Sequence, residues 1–185
     1  RGRMNTSRLG LALMHLLAKL PLPVLRGIGW GVGRLLFILA APRRKIALRN
    51  LELCFPEVPA AQRRAWAKET FVVFCQTFID RSWLWFGSEA LVRSRVQLTG
   101  ALHELKGDTA TIVFAPHFYS MDAGGLALPL NTPREFTSIF ATNPDPVLDA
   151  WFMAGRQRFG KVRMLNRADG VKPIIQCLRK GGLLY

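Results

Sequence analysis

A histidine and an aspartate five positions apart are the residues of this chain best suited to chemistry. His117 follows the apolar, β-branched run 111–115 and precedes Asp122. A histidine released at the end of a buried strand can take the proton of a hydroxyl group, and a nearby carboxylate can fix its tautomer and stabilise its charged form. The pair therefore predicts a general base with an orienting acid, as acyl transfer to an alcohol requires.

The spacing alone is not specific, because His-x4-Asp occurs a second time at His103 and Asp108. His103 lies in a polar stretch that closes on Lys-Gly-Asp, which is typical of a surface turn. His117 follows a predicted strand, and sites in α/β folds lie at the carboxyl ends of strands. We therefore favour His117. An ordinary alternative stays open, in which His117 bonds the backbone and Asp122 only complements a helix dipole.

The two side chains can meet only if His117 lies outside a regular helix. Five residues along an α-helix leave two side chains about 140° apart around the axis. Ser120 is a residue type that favours helix starts. We therefore expect His117 in a loop and a helix beginning near Ser120, so that the imidazole folds back over the first turn toward Asp122.

The basic residues of the chain are concentrated at its N-terminal end. Of the 26 Lys and Arg residues, ten lie before residue 51, where no Asp or Glu opposes them. They are Arg1, Arg3, Arg8, Lys19, Arg26, Arg34, Arg43, Arg44, Lys45 and Arg49. A basic surface alone would suggest nucleic acid, whereas these residues are interleaved with leucine-rich runs. That mixture predicts contact with an anionic membrane surface and no nucleic-acid partner.

Residues 8–41 predict two apolar, basic helices separated at Pro21 and Pro23. The segment 27–41 is apolar apart from Arg34, but as a helix it would rise only about 22 Å against about 30 Å of hydrocarbon. We favour helices lying on or shallowly in the membrane. A spanning helix and core-facing helices of a soluble protein stay open. We accordingly expect residues 1–50 to anchor the chain at the membrane and residues 51–185 to form an α/β domain.

The rest of the chain predicts helices followed by alternating strands and helices. Helices are expected over 43–51, 60–85, 120–128, 146–158 and 171–179, and strands over 96–99, 111–115, 136–141 and 162–165. The alternation predicts an α/β fold class with a mixed or parallel sheet behind N-terminal membrane-associated helices. The run 181–185 is typical of the entry to another strand, so we expect a sheet that is incomplete at the C-terminus of this chain.

The cysteines do not form a metal-binding or disulfide pattern. Cys54, Cys75 and Cys177 have apolar neighbours and no Cys-x-x-Cys spacing, which is typical of reduced core residues in a cytosol-facing protein. Because no His/Cys cluster accompanies them, we expect no catalytic metal.

Four further polar residues follow predicted elements downstream of His117. Asn143 follows a strand in an Asn-Pro-Asp-Pro run, which a turn and a helix start with proline also explain. Arg156 and Arg158 end the next helix, where they could complement its dipole or bind a phosphate. Arg167 follows a strand at the sheet edge expected for His117, where a fork of donors suits an anionic group. Ordinary ion pairs remain an equal alternative for each arginine.

Several segments together resemble the bacterial lipid A biosynthesis acyltransferases, within the wider superfamily of lysophospholipid acyltransferases. Their order and spacing are far more specific than His-x4-Asp and cover nearly the whole chain. The segments are 46–56, 96–100, 114–122, 143–144, 155–160, 167–170 and 178–184.

The resemblance implies an enzyme held at the cytoplasmic face of the inner membrane. It would transfer a fatty acyl chain from an acyl carrier protein thioester to a hydroxyl of a lipid A precursor, without another cofactor. His117 would be the general base and Asp122 its orienting acid, while Asn143, Arg156, Arg158 and Arg167 would contribute to substrate binding. Many members of the lipid A branch have Glu where this chain has Asp122, so the identity of the acceptor stays open.

Two alternatives remain at this level. A glycerophospholipid or lysophospholipid acyltransferase would share the same two residues and differ in the acceptor. A basic membrane-binding module without catalytic activity would share only the charged, apolar N-terminal segment.

Overall fold

The computed structural model describes the backbone of residues 2–185 and the side chains of residues 6–185. Arg1 and the side chain of Arg3, part of the predicted basic segment, lie outside the described residues. The described helices are α1 (Gly2–Leu17), α2 (Leu22–Leu39), α3 (Ala41–Cys54), α4 (Ala60–Phe86), α5 (Glu89–Arg95), α6 (Met121–Leu130), α7 (Pro146–Arg156) and α8 (Lys172–Arg179). The strands are β1 (Thr111–Ile112), β2 (Phe136–Phe140), β3 (Val162–Asn166) and β4 (Leu183–Leu184). The predicted α/β class is confirmed.

The chain divides into two compact units, one of residues 20–80 and one of residues 1–19 with 81–185. The boundary falls within α4, between Asp80 and Arg81. This structural division differs from the functional division predicted at residue 50, and the anchoring role of residues 1–50 stays a prediction.

Unit 20–80 is helical and depends on close packing of α2 against α4. A Cβ added at Gly33 would lie 2.5 Å from the Cα of Val72, and one at Gly29 would lie 2.6 Å from the Cγ of Gln76. The absence of side chains at these positions therefore lets the two helices approach. One guanidinium nitrogen of Arg26 bonds both carboxylate oxygens of Asp80 at 2.8 Å, which places the charge of α2 beside an opposite charge on α4.

Helix α2 is longer than the sequence analysis expected. It begins at Leu22, because proline is tolerated in the first turn of a helix. Its 18 residues have a mean hydropathy of 1.4 and rise about 27 Å. Within the described residues, α2 is the one helix long and apolar enough to cross a membrane by these two criteria.

The sheet belongs to the other unit and contains four parallel strands in the order β1-β4-β2-β3. Phe136 pairs with both Leu183 and Val162, so β2 lies inside the sheet. Because all strands are parallel, the segments after β1, β2, β3 and β4 leave the sheet at one edge. This edge carries His117 and Arg167, as the sequence predicted, and also Asn143 on the loop after β2.

The strand predicted at Val96–Thr99 is wrong. This segment follows α5, which the sequence analysis did not identify, and it pairs with no described strand. Its apolar side chains instead line a cavity of about 300 Å³ together with Val92, Ala127 and Leu130. Strand propensity reflects a fit to a half-buried surface rather than backbone pairing itself, so these residues carried the signal of a strand without being one.

The core of the sheet unit combines strand and helix residues. Phe136 and Leu183 from the strands pack with Leu105 and Leu128. At the end of α4, Trp85 packs against Trp151 and Phe152 of α7, with ring centroids 4.4 and 5.3 Å apart. This aromatic contact fixes the end of α4 beside α7.

Candidate active site

His117 lies in the loop between β1 and α6. Backbone pairing extends one residue past β1, through the bond from the Val113 amide to the Leu184 carbonyl, and a tight turn then places His117 between Pro116 and Phe118, whose backbone groups bond at 2.7 Å. The imidazole is exposed. The predicted loop position is therefore confirmed, and the imidazole of His117 is accessible from solvent.

The loop is rich in exposed apolar side chains. Phe114 and Phe118 are 88% and 75% exposed on either side of His117. Ser120 has a left-handed backbone with φ of 67° and stands immediately before α6. It occupies the predicted cap position, but its hydroxyl makes no capping bond, so backbone geometry rather than a side-chain cap ends the loop.

Asp122 lies in the first turn of α6 and is held by two arginines. Its Oδ2 accepts a bond of 2.7 Å from Nε of Arg81, and its Oδ1 lies 3.5 Å from Nε of Arg156. The carboxylate is only 13% exposed. Among the described side chains, no hydrogen bond or ion pair joins Asp122 to His117. The structure thus places both residues at the start of α6 without pairing them, and their joint role stays a prediction.

Arg81 is a site residue that the sequence analysis missed. Asp80 and Arg81 are the only charged residues between positions 71 and 86. Charged side chains in an apolar helix are buried only when they are paired. That rule was the available signal, because it requires a carboxylate partner for Arg81 from another part of the chain.

Tyr185, also not predicted, lies next to the same carboxylate. Its hydroxyl donates to the Met121 carbonyl at 3.3 Å. Burial raises the pKa of Tyr185, the negative charge of Asp122 raises it further, and Arg156 lowers it in part. The phenol is therefore a neutral donor at the edge of the charged group formed by Arg81, Asp122 and Arg156.

Arg156 is the last residue of α7, whereas Arg158 lies two residues past its end, outside the helix expected over 146–158. The two arginines also have different surroundings. Arg156 lies over the ring of Phe152 at 5.4 Å and faces Asp122. Arg158 donates to the Leu84 and Gly87 carbonyls at 2.7 and 2.6 Å, and burial lowers its pKa. Arg158 thus satisfies carbonyl groups at the end of α4. A substrate contact from Arg158 stays a prediction.

Asn143 and Arg167 lie at the carboxyl ends of β2 and β3. Asn143 accepts a bond from the Asp145 amide through its side chain and donates its own amide to Asp149, so it shapes the turn that begins α7. Arg167 is exposed at the start of a short 3-10 turn, and no bond within residues 6–185 restrains its guanidinium. Arg167 therefore offers an exposed positive charge to a ligand, whereas Asn143 is a neutral residue of the turn.

The cysteines do not contribute to this site. The core position predicted for the cysteines is confirmed for Cys75 and Cys177, which are buried free thiols, and is wrong for Cys54, which is an exposed free thiol at the end of α3. Cys177 contacts the Thr137 hydroxyl at 3.3 Å in the core, and burial raises the pKa of Cys75. In the part of the chain that the structure describes, no three His, Cys, Asp or Glu residues group as metal ligands would.

The sheet unit combines a parallel sheet, an exposed histidine beyond one strand and a largely buried carboxylate in the following helix. This arrangement fits the class of α/β enzymes whose sites lie at the carboxyl ends of strands. The family profile of the bacterial lipid A biosynthesis acyltransferases matches residues 3–185. The chain belongs to this family, as the resemblance implied.

Individual relatives agree with this assignment. A lipid A biosynthesis acyltransferase of Haemophilus influenzae is 33% identical over 92% of this chain and 55% of its own length. A lipid A biosynthesis lauroyltransferase and a myristoyltransferase of Escherichia coli are 28% and 31% identical, over 96% and 94% of this chain and 58% and 54% of their own lengths. The chain thus spans little more than half the length of these relatives.

Proposed function

We propose that the full-length protein is an O-acyltransferase that moves a fatty acyl chain from an acyl carrier protein thioester to a hydroxyl of a lipid A precursor. Family membership and the names of the relatives support the reaction class. The observation that carries the proposal is the position of His117, which is exposed beyond β1 with Asp122 in the next helical turn.

His117 would act as the general base. Its imidazole would take the proton of the acceptor hydroxyl while that oxygen attacks the thioester carbonyl. The carbon–sulfur bond then breaks, the thiolate takes the proton from the imidazolium, and an ester and a free thiol leave. Asp122 would orient the imidazole and stabilise its cation, which requires the carboxylate to turn one oxygen from Arg156 toward His117. Catalytic hydrogen bonds are often incomplete before substrate binds.

The predicted arginines beyond His117 and Asp122 would bind negative charge on the substrates. Arg156 and Arg167 would bind a phosphate of the acceptor or stabilise the oxyanion, where one donor is worth about 3 to 4 kcal/mol. Asn143 would support this edge by holding the start of α7. No substrate role is included for Arg158, because its guanidinium already bonds two backbone carbonyls.

The N-terminal helices would hold the enzyme at the cytoplasmic face of the inner membrane. In unit 20–80, the apolar residues Leu35, Ile38 and Leu39 of α2 are 55 to 69% exposed. The basic cluster 43–45 follows at the start of α3. Exposed apolar side chains beside basic ones match an anionic leaflet, where each Lys or Arg near the surface contributes about 1 kcal/mol.

The two His-x4-Asp motifs provide a matched test. The full-length protein in detergent micelles would receive acyl carrier protein thioester and a lipid A precursor, and mass spectrometry would identify the product. We expect His117→Ala to lower kcat at least about 100-fold, since general bases contribute about 10²- to 10⁴-fold. His103→Ala should keep turnover near the original value, because His103 is 76% exposed and lies in a 3-10 turn that precedes β1, not in the loop that follows it.

Two results would contradict the proposal. Near-normal turnover of the His117→Ala protein would show that His117 is not the general base. Acylation of a lysophospholipid in preference to the lipid A precursor would favour the glycerophospholipid alternative.

A further inference from the structure

The ion pair between Arg81 and Asp122 connects the end of α4 to the first turn of α6. Its atoms are 2.7 Å apart, and the two side chains are 25% and 13% exposed. A pair this sheltered is weak evidence for a stabilising role, because desolvation offsets much of the attraction. Its position on the carboxylate that would serve His117 suggests another role.

We propose that Arg81 is a positioning residue for catalysis, which fixes the Asp122 carboxylate through Oδ2 and leaves Oδ1 for the imidazole of His117. This inference rests on the proposed function. The two oxygens are held unequally: Oδ2 has a short bond to Arg81, whereas Oδ1 is 3.5 Å from Arg156, which is beyond a good hydrogen bond. Oδ1 is therefore the oxygen that a better donor can take.

The place of Arg81 is itself fixed by packing. Its guanidinium lies 5.7 Å from the ring centroid of Trp85 and 5.8 Å from that of Phe152. Aromatic faces favour a planar guanidinium in this way. Gly155 permits the arrangement, since a Cβ there would lie 2.4 Å from the Trp85 ring. The arginine is thus held by α4 and α7 while it holds a residue of α6.

Arg156 is held less firmly than Arg81 and can move away from Asp122. Its side chain is 37% exposed and contacts one aromatic ring, Phe152. It can therefore release Oδ1 to His117, or move toward a substrate anion, while Arg81 keeps Oδ2. The different roles of Arg81 and Arg156 follow from their distances to Asp122 and from the exposed fractions of their side chains.

A mutant cycle in the full-length protein tests the proposal. The variants are Arg81→Gln, Arg81→Lys, Asp122→Asn and the double variant Arg81→Gln with Asp122→Asn, assayed for kcat and KM on the acyl carrier protein thioester and lipid A precursor. We expect Arg81→Gln to lower kcat about 10-fold with KM changed less than about 3-fold, as loss of a group acting in the transition state predicts. Arg81→Lys should restore part of kcat.

The decisive measurement is the double variant. If Arg81 acts through Asp122, Arg81→Gln should lower kcat less than about 2-fold further once Asp122 is Asn, because residues acting as a unit are not additive. Fully additive losses, an effect confined to KM, or unchanged kcat in Arg81→Gln would overturn the proposal. Arg93→Gln, which removes an exposed ion pair on α5, is the matched control and should keep kcat.

The failure of this inference is distinguishable from the failure of the proposed function. An inactive wild-type protein, or an active His117→Ala protein, overturns the proposed function and this inference with it. Activity that depends on His117 but not on Arg81 overturns the positioning role alone. Thermal unfolding of each variant, with midpoints near that of the wild type, assigns the kcat losses to the site rather than to unfolding.

Discussion

Two adjacent residues of α4 make ion pairs in two different units of the molecule. Asp80 pairs with Arg26 within unit 20–80, and one nitrogen of Arg26 bonds both of its oxygens. Arg81 pairs with Asp122 in the sheet unit, where the two carboxylate oxygens face different arginines. The first carboxylate bonds a cation of α2 from its place on α4, whereas the second lies in the first turn of α6, five residues after an exposed histidine.

Under the proposed function, an ion pair would serve structure in unit 20–80 and reactivity in the sheet unit. A charge enclosed between helices needs a partner simply to be buried at low cost. A carboxylate whose two oxygens face different partners can exchange one partner and keep the other. Breaking the first pair should therefore cost stability, and breaking the second should cost turnover.

The largest expected effect comes from removing the close helix approach that encloses the Arg26–Asp80 pair. Gly33→Ala would place a methyl group 2.5 Å from the Val72 Cα and 2.8 Å from the Phe71 carbonyl oxygen. Backbone atoms cannot rotate away, so we expect the free energy of unfolding to fall by about 3 kcal/mol. Chemical denaturation of the full-length protein in micelles measures it.

Gly31→Ala is the matched control on the same helix. A Cβ there meets no atom within 4 Å, and alanine is favoured over glycine in helices by up to about 1 kcal/mol. Gly31→Ala should therefore leave stability unchanged or raise it. Equal losses for the two variants would show that close packing of α2 against α4 is not what the glycines provide.

The next prediction tests the comparison directly through the two aspartates. Asp80→Ala should destabilise the protein by about 2 kcal/mol, less than the 3 to 5 kcal/mol of a fully buried pair because Arg26 is 37% exposed. Asp122→Asn keeps the size of the side chain and an oxygen that Arg81 can still bond, so it should destabilise the protein less than Asp80→Ala does while lowering kcat at least about 10-fold. Denaturation curves and single-substrate kinetics on both variants separate the two effects. A stability loss in Asp122→Asn as large as that in Asp80→Ala would remove the distinction.

The fold was predictable where local pattern and tertiary context agree. The helix starting at Pro146 and the strands near 136 and 162 have clear boundaries, because proline, apolar runs and glycine mark them in the sequence. Residues 96–99 have the same apolar pattern. Whether such a run forms a strand also depends on whether the fold places an unpaired strand edge next to it, which the local pattern does not show. The length of α2 was underestimated because Pro23 was treated as a break rather than as a first-turn residue.

The candidate site was predictable only as a set of residues, not as a set of partners. The sequence places His117, Asn143 and Arg167 after strands, and a parallel sheet brings strand ends to one edge. It does not state that Asp122 binds Arg81, which is 41 positions away, or that Arg158 bonds carbonyls 71 and 74 positions away. Such contacts depend on how α4 packs against α7, which no local pattern encodes.

The smallest expected effect uses Tyr185 as a reporter of the charged group around Asp122. Residues 1–185 contain two tyrosines, so Tyr119→Phe leaves Tyr185 as the one phenol within this part of the chain. In the full-length protein, the ultraviolet difference spectrum against the same protein with Tyr185→Phe isolates the ionisation of Tyr185. Burial and the Asp122 charge raise the pKa of Tyr185 above the ordinary value of about 10. In that background, Asp122→Asn should shift the ionisation midpoint of Tyr185 to lower pH, because it removes a negative charge that opposes the phenolate. Arg156→Gln should shift it upward, since this cation lowers the pKa.

The same titration separates the two ion pairs. Asp80→Asn should leave the Tyr185 midpoint unchanged, because Asp80 does not contribute to the raised pKa. The raised pKa of Tyr185 also makes the free energy of unfolding depend on pH. The folded protein keeps the phenol proton at pH values where the unfolded chain releases it. The stabilisation from Tyr185 is therefore present below about pH 10 and is lost as pH rises through the pKa of the folded protein. Tyr185→Phe should therefore make the unfolding free energy fall less steeply above pH 10. A midpoint that responds equally to Asp80→Asn and Asp122→Asn would mean that the phenol senses overall charge or unfolding rather than the carboxylate held by Arg81.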